Sequence, residues 1–205
     1  MELLDVIQRR ASVRSFTNES INPDDLKEMA RRAGLAPSEN NHQPWKFIAV
    51  TNKEVLEKLA AAISQKISEI PSLESKRAYL VKSQMEVSST FFKGAPSLIA
   101  LVMTPSETIW EKGFNLTPEE LKKMHNYPDL QSAGAAMQNI LLSAVELGYG
   151  ACWMSSPLTA KTELEEILHI EDPWDLIAFV AIGKSNVEAK QSNKKPIDEI
   201  FEIIN

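Results

Sequence analysis

Three polar side chains near the amino terminus have the types and the spacing of an anion-binding site. Residues 9–16 read Arg-Arg-Ala-Ser-Val-Arg-Ser-Phe, so that Arg10, Ser12 and Arg14 occupy alternate positions. Alternate side chains of an extended chain point to the same side. Two guanidinium groups and a hydroxyl group on one side can bind an anion. The alternative is a solvated basic turn that follows a short helix.

A second polar segment, residues 36–45, reads Ala-Pro-Ser-Glu-Asn-Asn-His-Gln-Pro-Trp and lies between apolar elements. The amides of asparagine and glutamine can read the donor and acceptor edge of a planar heterocycle. An ordinary surface loop built from turn-forming residues explains the same composition. The segment is therefore either a ligand-binding loop or an ordinary surface loop.

A third segment, residues 148–157, predicts a short strand that ends in Ser155 and Ser156. Backbone N–H groups exposed at such an end could donate hydrogen bonds to a ligand, although a plain exit from the strand has the same pattern. Lys184 and Lys194 add positive charge further along the chain. On composition alone, these lysines are better explained as solvated surface charges.

Several common catalytic patterns are absent from the sequence. It contains no phosphate-binding loop, no glycine pattern of a dinucleotide-binding fold and no serine-nucleophile motif. His42, His125 and His169 have no metal-ligand spacing to one another or to Cys152, so no metal site is predicted. Cys152 follows an apolar pattern and is predicted to belong to the core.

The composition limits the possible partners and location. The chain has 205 residues, of which 43% are hydrophobic, and a net charge of −6. This acidity argues against nucleic acid or an anionic membrane as the main partner. A single cysteine excludes an intrachain disulfide. The start of the chain lacks a signal-peptide pattern and no apolar run reaches the length of a membrane span, so a cytoplasmic location is predicted.

The elements that would position these segments are predicted from apolar periodicity and capping residues. Asn22 and Asn52 are expected to cap helices, and Gly34 and Gly148 to follow the ends of helices. The pattern predicts one α+β domain over residues 1–205, with helices flanking a single sheet. Residues 104–128 are predicted to be an excursion or lid. Strands are predicted over 45–50, 97–103, 149–154 and 176–182, with the strongest helix over 130–147 and helical spacing in the tail 196–204.

The order of these segments resembles the nitroreductase family. Residues 10–16 are similar to the R-R-S-x-R-x-F opening of that family, and residues 37–45 to its P-S-x-x-N-x-Q-P-W loop. Gly94-Ala95-Pro96 before an apolar strand, Gln138-Asn139 followed by residues 147–153, and Lys194-Lys195-Pro196 resemble further blocks. The resemblance spans nearly the whole chain and rests on the ordered set of motifs.

The resemblance implies a mainly antiparallel sheet and FMN bound at a homodimer interface, with both subunits lining each site. Carried over by residue, Arg10 and Lys194 would hold the phosphate, Ser12 would make a polar contact, and Arg14 would lie near the N1 and O2 edge of the flavin. Arg14 and Ser155 are the implied catalytic residues. The remaining implied contacts are the backbones of Ala11, Met154, Ser155 and Ser156, together with Pro37, Ser38, Glu39, Asn41 and Gln43 from the partner subunit.

The implied activity is transfer of two electrons from NAD(P)H to a nitroaromatic, quinone or similar small acceptor by a ping-pong mechanism. Ala11 departs from the family pattern, which has a second basic residue or a histidine there, so only its backbone can contribute. Ser155 and Ser156 replace an acidic residue and a glycine of some members. Two alternatives are a flavin carrier or sensor, and a specialised flavin dehydrogenase or dehalogenase. The sequence does not identify the acceptor.

Overall fold

The structure, a computed structural model, describes residues 2–71, 73–105 and 113–204. Seven α-helices and four β-strands lie within these residues. The helices are α1 (Leu3–Arg9), α2 (Pro23–Ala33), α3 (Lys53–Glu69), α4 (Lys76–Thr90), α5 (Pro118–Met124), α6 (Pro128–Glu146) and α7 (Lys161–Ile167). The strands are β1 (Trp45–Val50), β2 (Ser97–Met103), β3 (Gly150–Met154) and β4 (Asp175–Gly183).

The four strands form one antiparallel sheet in the order β1-β2-β4-β3. This confirms the predicted α+β class. Trp45 pairs with Met103, Met103 with Asp175, and Met154 with Phe179. The start of β1 and the end of β3 therefore open towards the same end of the sheet, although β1 and β3 are its two outer strands.

The central strand β2 is buried along its whole length, as its unbroken apolar sequence predicts. Leu98, Ala100 and Val102 face one core cluster, which includes α3 and α7. Ile99 and Leu101 face the other, which includes α2 and α6. Both faces of the sheet are thus covered by helices, and the sheet is a rigid base for whatever lies along its edges.

The predicted helix caps are confirmed. The Asn22 side chain accepts a hydrogen bond from the Asp24 N–H, and the Asn52 side chain accepts hydrogen bonds from the N–H groups of Glu54 and Val55. Gly148 follows α6 with a φ of +84°, a left-handed conformation that glycine adopts without a steric cost. This turn sends the chain directly from α6 into β3.

A charged network holds α2 to α6. Glu28 accepts hydrogen bonds from Arg31 at 2.7 and 2.8 Å and from Arg32 at 2.7 Å. These bonds, first that of Arg31 and then that of Arg32, lower the pKa of Glu28 to about 2. Arg32 also pairs with Glu146 at the end of α6. The network links the two helices that cover one face of the sheet.

Two regions differ from the sequence analysis. Helix α4 was not predicted, because its apolar residues show no clear helical face and Tyr79, Leu80 and Val81 are exposed. The tail 196–204 forms only a short 3₁₀ turn at Ile197–Glu199, and its apolar side chains are exposed. Helical spacing alone did not produce a helix there, because the tail packs on no surface of the described protomer that would bury those side chains.

The predicted lid falls partly outside the described residues, which omit 106–112. Its described part contains α5, which begins with a capping box formed by Thr117 and Glu120. The role of this segment as a lid stays a prediction. In the described parts of the chain, none of the helices combines the length and the apolar character that crossing a membrane requires. The cellular location stays a prediction as well.

Candidate functional site

The segment that contains Arg10, Ser12 and Arg14 lies extended along the outer edge of β3. Ser12 pairs in parallel with Ala151, and the Val13 N–H donates to the Ala151 carbonyl at 3.0 Å. Ala11 and Val13 are buried, Ser12 and Arg14 are exposed, and Arg10 is half-buried. The side chains therefore alternate as expected from the sequence, with the polar ones directed away from the core.

The three polar side chains all influence Cys152, in the middle of β3. Burial raises the pKa of the Cys152 thiol, while the charge of Arg14, a hydrogen bond with Ser12 and the charge of Arg10 act in the opposite direction. Cys152 itself is buried in the core, which agrees with its predicted structural role. The charges of Arg14 and Arg10 thus act on the middle of β3, in a chain that is acidic as a whole.

The close approach of this segment to β3 depends on a glycine. A Cβ atom added to Gly150 would lie 2.7 Å from Cγ2, 2.8 Å from Cβ and 2.9 Å from Cγ1 of Val13. Carbon atoms in favourable contact are about 3.5–4.0 Å apart. Gly150 therefore allows the segment to lie against the strand, and in this way it positions both arginines.

At the end of β3, Met154 is buried and Ser155 is exposed. The Ser155 carbonyl accepts a hydrogen bond from the Leu158 N–H at 3.0 Å, whereas the Ser155 N–H donates to no group within residues 2–71, 73–105 and 113–204. The Ser156 hydroxyl donates to the Ser88 carbonyl of α4 at 3.3 Å. Ser155 thus offers a backbone donor at this edge, while the Ser156 side chain is engaged with the protein.

The loop before β1 has an unusual backbone. Asn40, Asn41 and Gln43 have φ angles of 49°, 56° and 49°, in the left-handed region. Asparagine adopts this region more readily than most residues with a side chain, so Gln43 is the least usual of the three. The Ser38 hydroxyl supports this shape by accepting a hydrogen bond from the Gln43 N–H at 2.9 Å. The side chains of Pro37, Asn41 and Gln43 are exposed. Strained backbone of this kind is typical of ligand-binding and functional segments.

One protomer does not bring all of the predicted residues together. Arg10, Ser12, Arg14 and Ser155 lie along β3, whereas the loop that contains Asn41 leads into β1 at the opposite edge of the sheet. Three strand spacings separate these edges, or about 14 Å. One protomer therefore carries these two groups of residues on different edges of its sheet.

The carboxyl-terminal tail passes beside the first segment. The Gln191 side chain donates to the carbonyls of Ile7 at 2.9 Å and of Arg10 at 3.0 Å. These bonds place Lys194, which is exposed, three residues beyond a point fixed next to Arg10. Gln191 could not be predicted from the sequence, because a glutamine that binds backbone carbonyls has no distinctive spacing.

A family model for the nitroreductase family matches residues 7–184, a range that includes the β3 edge, the strained loop and the whole sheet. The chain belongs to the nitroreductase family. The resemblance stated from the motifs is confirmed.

Three proteins illustrate the range of similarity to this chain. A BluB-like flavoprotein of known crystal structure from Clostridium difficile 630 is 32% identical, with full coverage of both chains and a TM-score of 0.89. A nitroreductase with bound FMN from Desulfitobacterium hafniense DCB-2 is 24% identical, with full coverage of both chains and a TM-score of 0.76. Human iodotyrosine deiodinase 1 is 24% identical over 98% of this chain and 68% of its own length.

Proposed function

We propose that the protein is an FMN-dependent oxidoreductase that passes two electrons from NAD(P)H to a small acceptor such as a quinone or a nitroaromatic compound. The observation that carries this proposal is the row of Arg10, Ser12 and Arg14 along β3, which leads to the free donor of Ser155. Family membership supports the proposal, as do the flavoprotein and the FMN-bound enzyme among the similar structures.

The residues present fit this cofactor by their chemistry. The phosphate of FMN needs charge-assisted donors, which Arg10 and Lys194 would supply. Gln191, three residues before Lys194, donates a hydrogen bond to the Arg10 carbonyl. The flavin ring needs hydrogen-bond donors near its N1, O2 and N5 atoms. Arg14 and the Ser155 N–H, further along the same edge, would supply them. The amides of Asn41 and Gln43, from a second protomer, match the polar edge of the ring.

FMN supplies the redox chemistry when it is bound, and the protein supplies position and electrostatics. A guanidinium group at the N1 and O2 edge stabilises negative charge that develops only when electrons have been received. Arg14 therefore favours two-electron steps. A fixed N–H from Ser155 orients the ring without reorganisation of water. The hydride donor and the acceptor use the same exposed face in turn, which gives ping-pong kinetics.

We propose further that the protein is an obligate homodimer with two equivalent sites. The separation of the strained loop from the β3 edge supports this, because each site needs the loop of another protomer. The apolar side chains left exposed on this protomer also support it. Leu3 and Leu4 of α1 are 67% and 63% exposed, and Phe201 and Ile204 of the tail are 62% and 91% exposed, which is more than isolated surface residues would explain. Sedimentation should give a dimer, and a stable monomer with full flavin content would contradict this.

A second candidate is a dehalogenase specialised for one metabolite. The similarity to human iodotyrosine deiodinase 1 favours this alternative over a flavin carrier, because that relative is named as an enzyme that removes iodine. The same cofactor site serves both reactions, and the acceptor distinguishes them.

The experiment is an anaerobic steady-state assay with NADH or NADPH against p-benzoquinone, a nitroaromatic compound and iodotyrosine. Turnover with quinone and nitroaromatic, with parallel lines in double-reciprocal plots, is the expected result. Release of iodide as the main activity would replace the proposal with the second candidate. A bound flavin that none of the donors reduces would contradict both and indicate a carrier.

A further inference from the structure

The 3₁₀ turn that follows β3, Ser156–Ala160, is held by hydrogen bonds on both sides of its first residue. Inside the turn, the Thr159 hydroxyl donates to the Ser156 carbonyl at 2.9 Å. The Ser156 hydroxyl donates to the Ser88 carbonyl of α4 at 3.3 Å. Ser156 therefore ties the turn to a helix that lies 68 positions earlier in the chain.

The acceptor on α4 is suited to this bond. Ser88 belongs to the last turn of α4, which ends at Thr90. Carbonyls in the last turn of a helix lose the donors of the helical pattern, and side chains often replace them. The turn is also held at Pro157 and Ala160, whose side chains are buried. The link to α4 is thus added to a turn that already packs on the core.

The backbone conformation of Ser155 gives this support a consequence. Ser155 has a φ of −113° and a ψ of −19°, close to the sparsely populated bridge region in which many active-site residues lie. Its carbonyl accepts a hydrogen bond from the Leu158 N–H at 3.0 Å, and its own N–H is the donor proposed above for the flavin ring. A peptide group in such a conformation persists only when the surrounding structure holds it.

On the basis of the proposed function, we propose that Ser156 is a positioning residue for the Ser155 N–H. The Ser156 hydroxyl locks the turn to α4, so that the Ser155 donor keeps one direction through both half-reactions. Donors that are fixed in advance need no reorganisation during the reaction, and supporting hydrogen bonds hold them to within about 0.5 Å. Because the hydroxyl is engaged with α4, the Ser156 side chain acts on the reaction only through Ser155.

The test uses Ser156→Ala, which removes the hydroxyl and leaves every backbone group in place. In anaerobic stopped-flow experiments on the FMN-loaded protein, NAD(P)H should reduce the bound flavin about tenfold more slowly than in wild type. This loss is smaller than the roughly hundredfold loss expected when a positioned donor is removed altogether. The affinity for FMN should change little, because the phosphate contacts are untouched.

The matched control is Ser88→Ala. The bond from Ser156 is accepted by the backbone carbonyl of residue 88, so this variant keeps the bond. It loses only the Ser88 hydroxyl, which donates to the Met85 carbonyl at 3.0 Å within α4. Its flavin should be reduced at the wild-type rate. If both variants are slowed equally, the effect comes from α4 in general and the proposal is wrong.

Two measurements without turnover separate positioning from other roles. With ¹⁵N-labelled FMN in the oxidised protein, Ser156→Ala should move the N5 resonance towards that of a flavin with no hydrogen bond at N5. In the protein without cofactor, the Leu158 N–H should exchange about three- to tenfold faster, as expected for the loss of one supporting hydrogen bond. Exchange of the Val13 N–H, which is bonded to Ala151 of β3, should not change.

Wild-type values of the reduction rate, the N5 resonance and the Leu158 exchange in Ser156→Ala would show that the proposal is wrong although the proposed function stands. Faster exchange with an unchanged rate and resonance would leave Ser156 a purely stabilising role and would also overturn the proposal. Slower reduction with unchanged exchange would mean that the hydroxyl does not act through the turn. A wild-type protein whose bound FMN is not reduced by NAD(P)H would overturn the proposed function itself, and the resonance and exchange measurements would still decide the role of Ser156.

Discussion

The dependence of the cofactor site on Gly150 gives a sharp test of the geometry. In Gly150→Ala, the new Cβ would lie 2.7–2.9 Å from three atoms of Val13. To reach ordinary contact, the segment that carries Arg10, Ser12 and Arg14 must move away from β3 by about 0.8 Å. The bond from the Val13 N–H to the Ala151 carbonyl, now 3.0 Å, would then stretch beyond hydrogen-bonding distance.

The magnitude follows from these two effects. Overpacking of a buried contact costs about 1–3 kcal/mol, and loss of one backbone hydrogen bond adds about 0.5–1.5 kcal/mol. The free energy of unfolding should therefore fall by roughly 2–4 kcal/mol. Displacement of two guanidinium groups and a hydroxyl should weaken FMN binding by about 10–100-fold, which equals roughly 1.4–2.8 kcal/mol.

The assay combines urea unfolding of the apoprotein with fluorescence titration of FMN. Gly94→Ala is the matched control, because a Cβ there would meet nothing within 4 Å, and it should change neither quantity. A Gly150→Ala protein with wild-type stability and wild-type FMN affinity would refute the reasoning. Lower stability with unchanged affinity would show that the segment does not bind the cofactor.

Three further predictions concern single side chains. Lys194→Ala should weaken FMN binding by about 1.5–3 kcal/mol, whereas Arg14→Gln should lower the flavin reduction potential and the rate of reduction; equal effects on affinity with no change in potential would contradict this division. Ser155→Ala should keep most activity, while Ser155→Pro, which lacks the N–H, should slow flavin reduction by up to about a hundredfold in protein shown to retain FMN. Because the pKa of Glu28 is lowered from its ordinary value of 4.5 to about 2, its contribution to stability is fully present above pH 4.5 and is lost as the pH falls through 2. The stability difference between wild type and Glu28→Gln, followed by thermal unfolding, should shrink over that range, and a constant difference would contradict it.

The parts of the fold that local patterns determine could be predicted from the sequence. Asn22 predicts the start of α2, because its side chain can accept a hydrogen bond from the first turn of a helix. The unbroken apolar run of β2 indicates burial on both faces. The alternation of Arg10, Ser12 and Arg14 was also visible, because an extended segment has a fixed side-chain period. These signals depend only on neighbours along the chain.

The remaining features depend on contacts between distant residues. Tail residues such as Phe201 have helical spacing but form no helix, because spacing does not reveal whether a packing surface exists. The contact of Glu39 with His125 joins residues far apart in sequence, and neither residue type is unusual in its own segment. The placement of the strained loop and of β3 at opposite edges follows from strand order, which no local pattern encodes.

The central claim is that the edge of β3 holds FMN, and the direct measurement is identification of the flavin that the purified protein carries. The protein should be yellow, and heat or acid should release a flavin that co-elutes with FMN in chromatography, at about one per chain. Release of FAD would contradict the assignment of Arg10 and Lys194 to a terminal phosphate. A colourless protein that takes up no FMN on incubation would contradict the claim altogether.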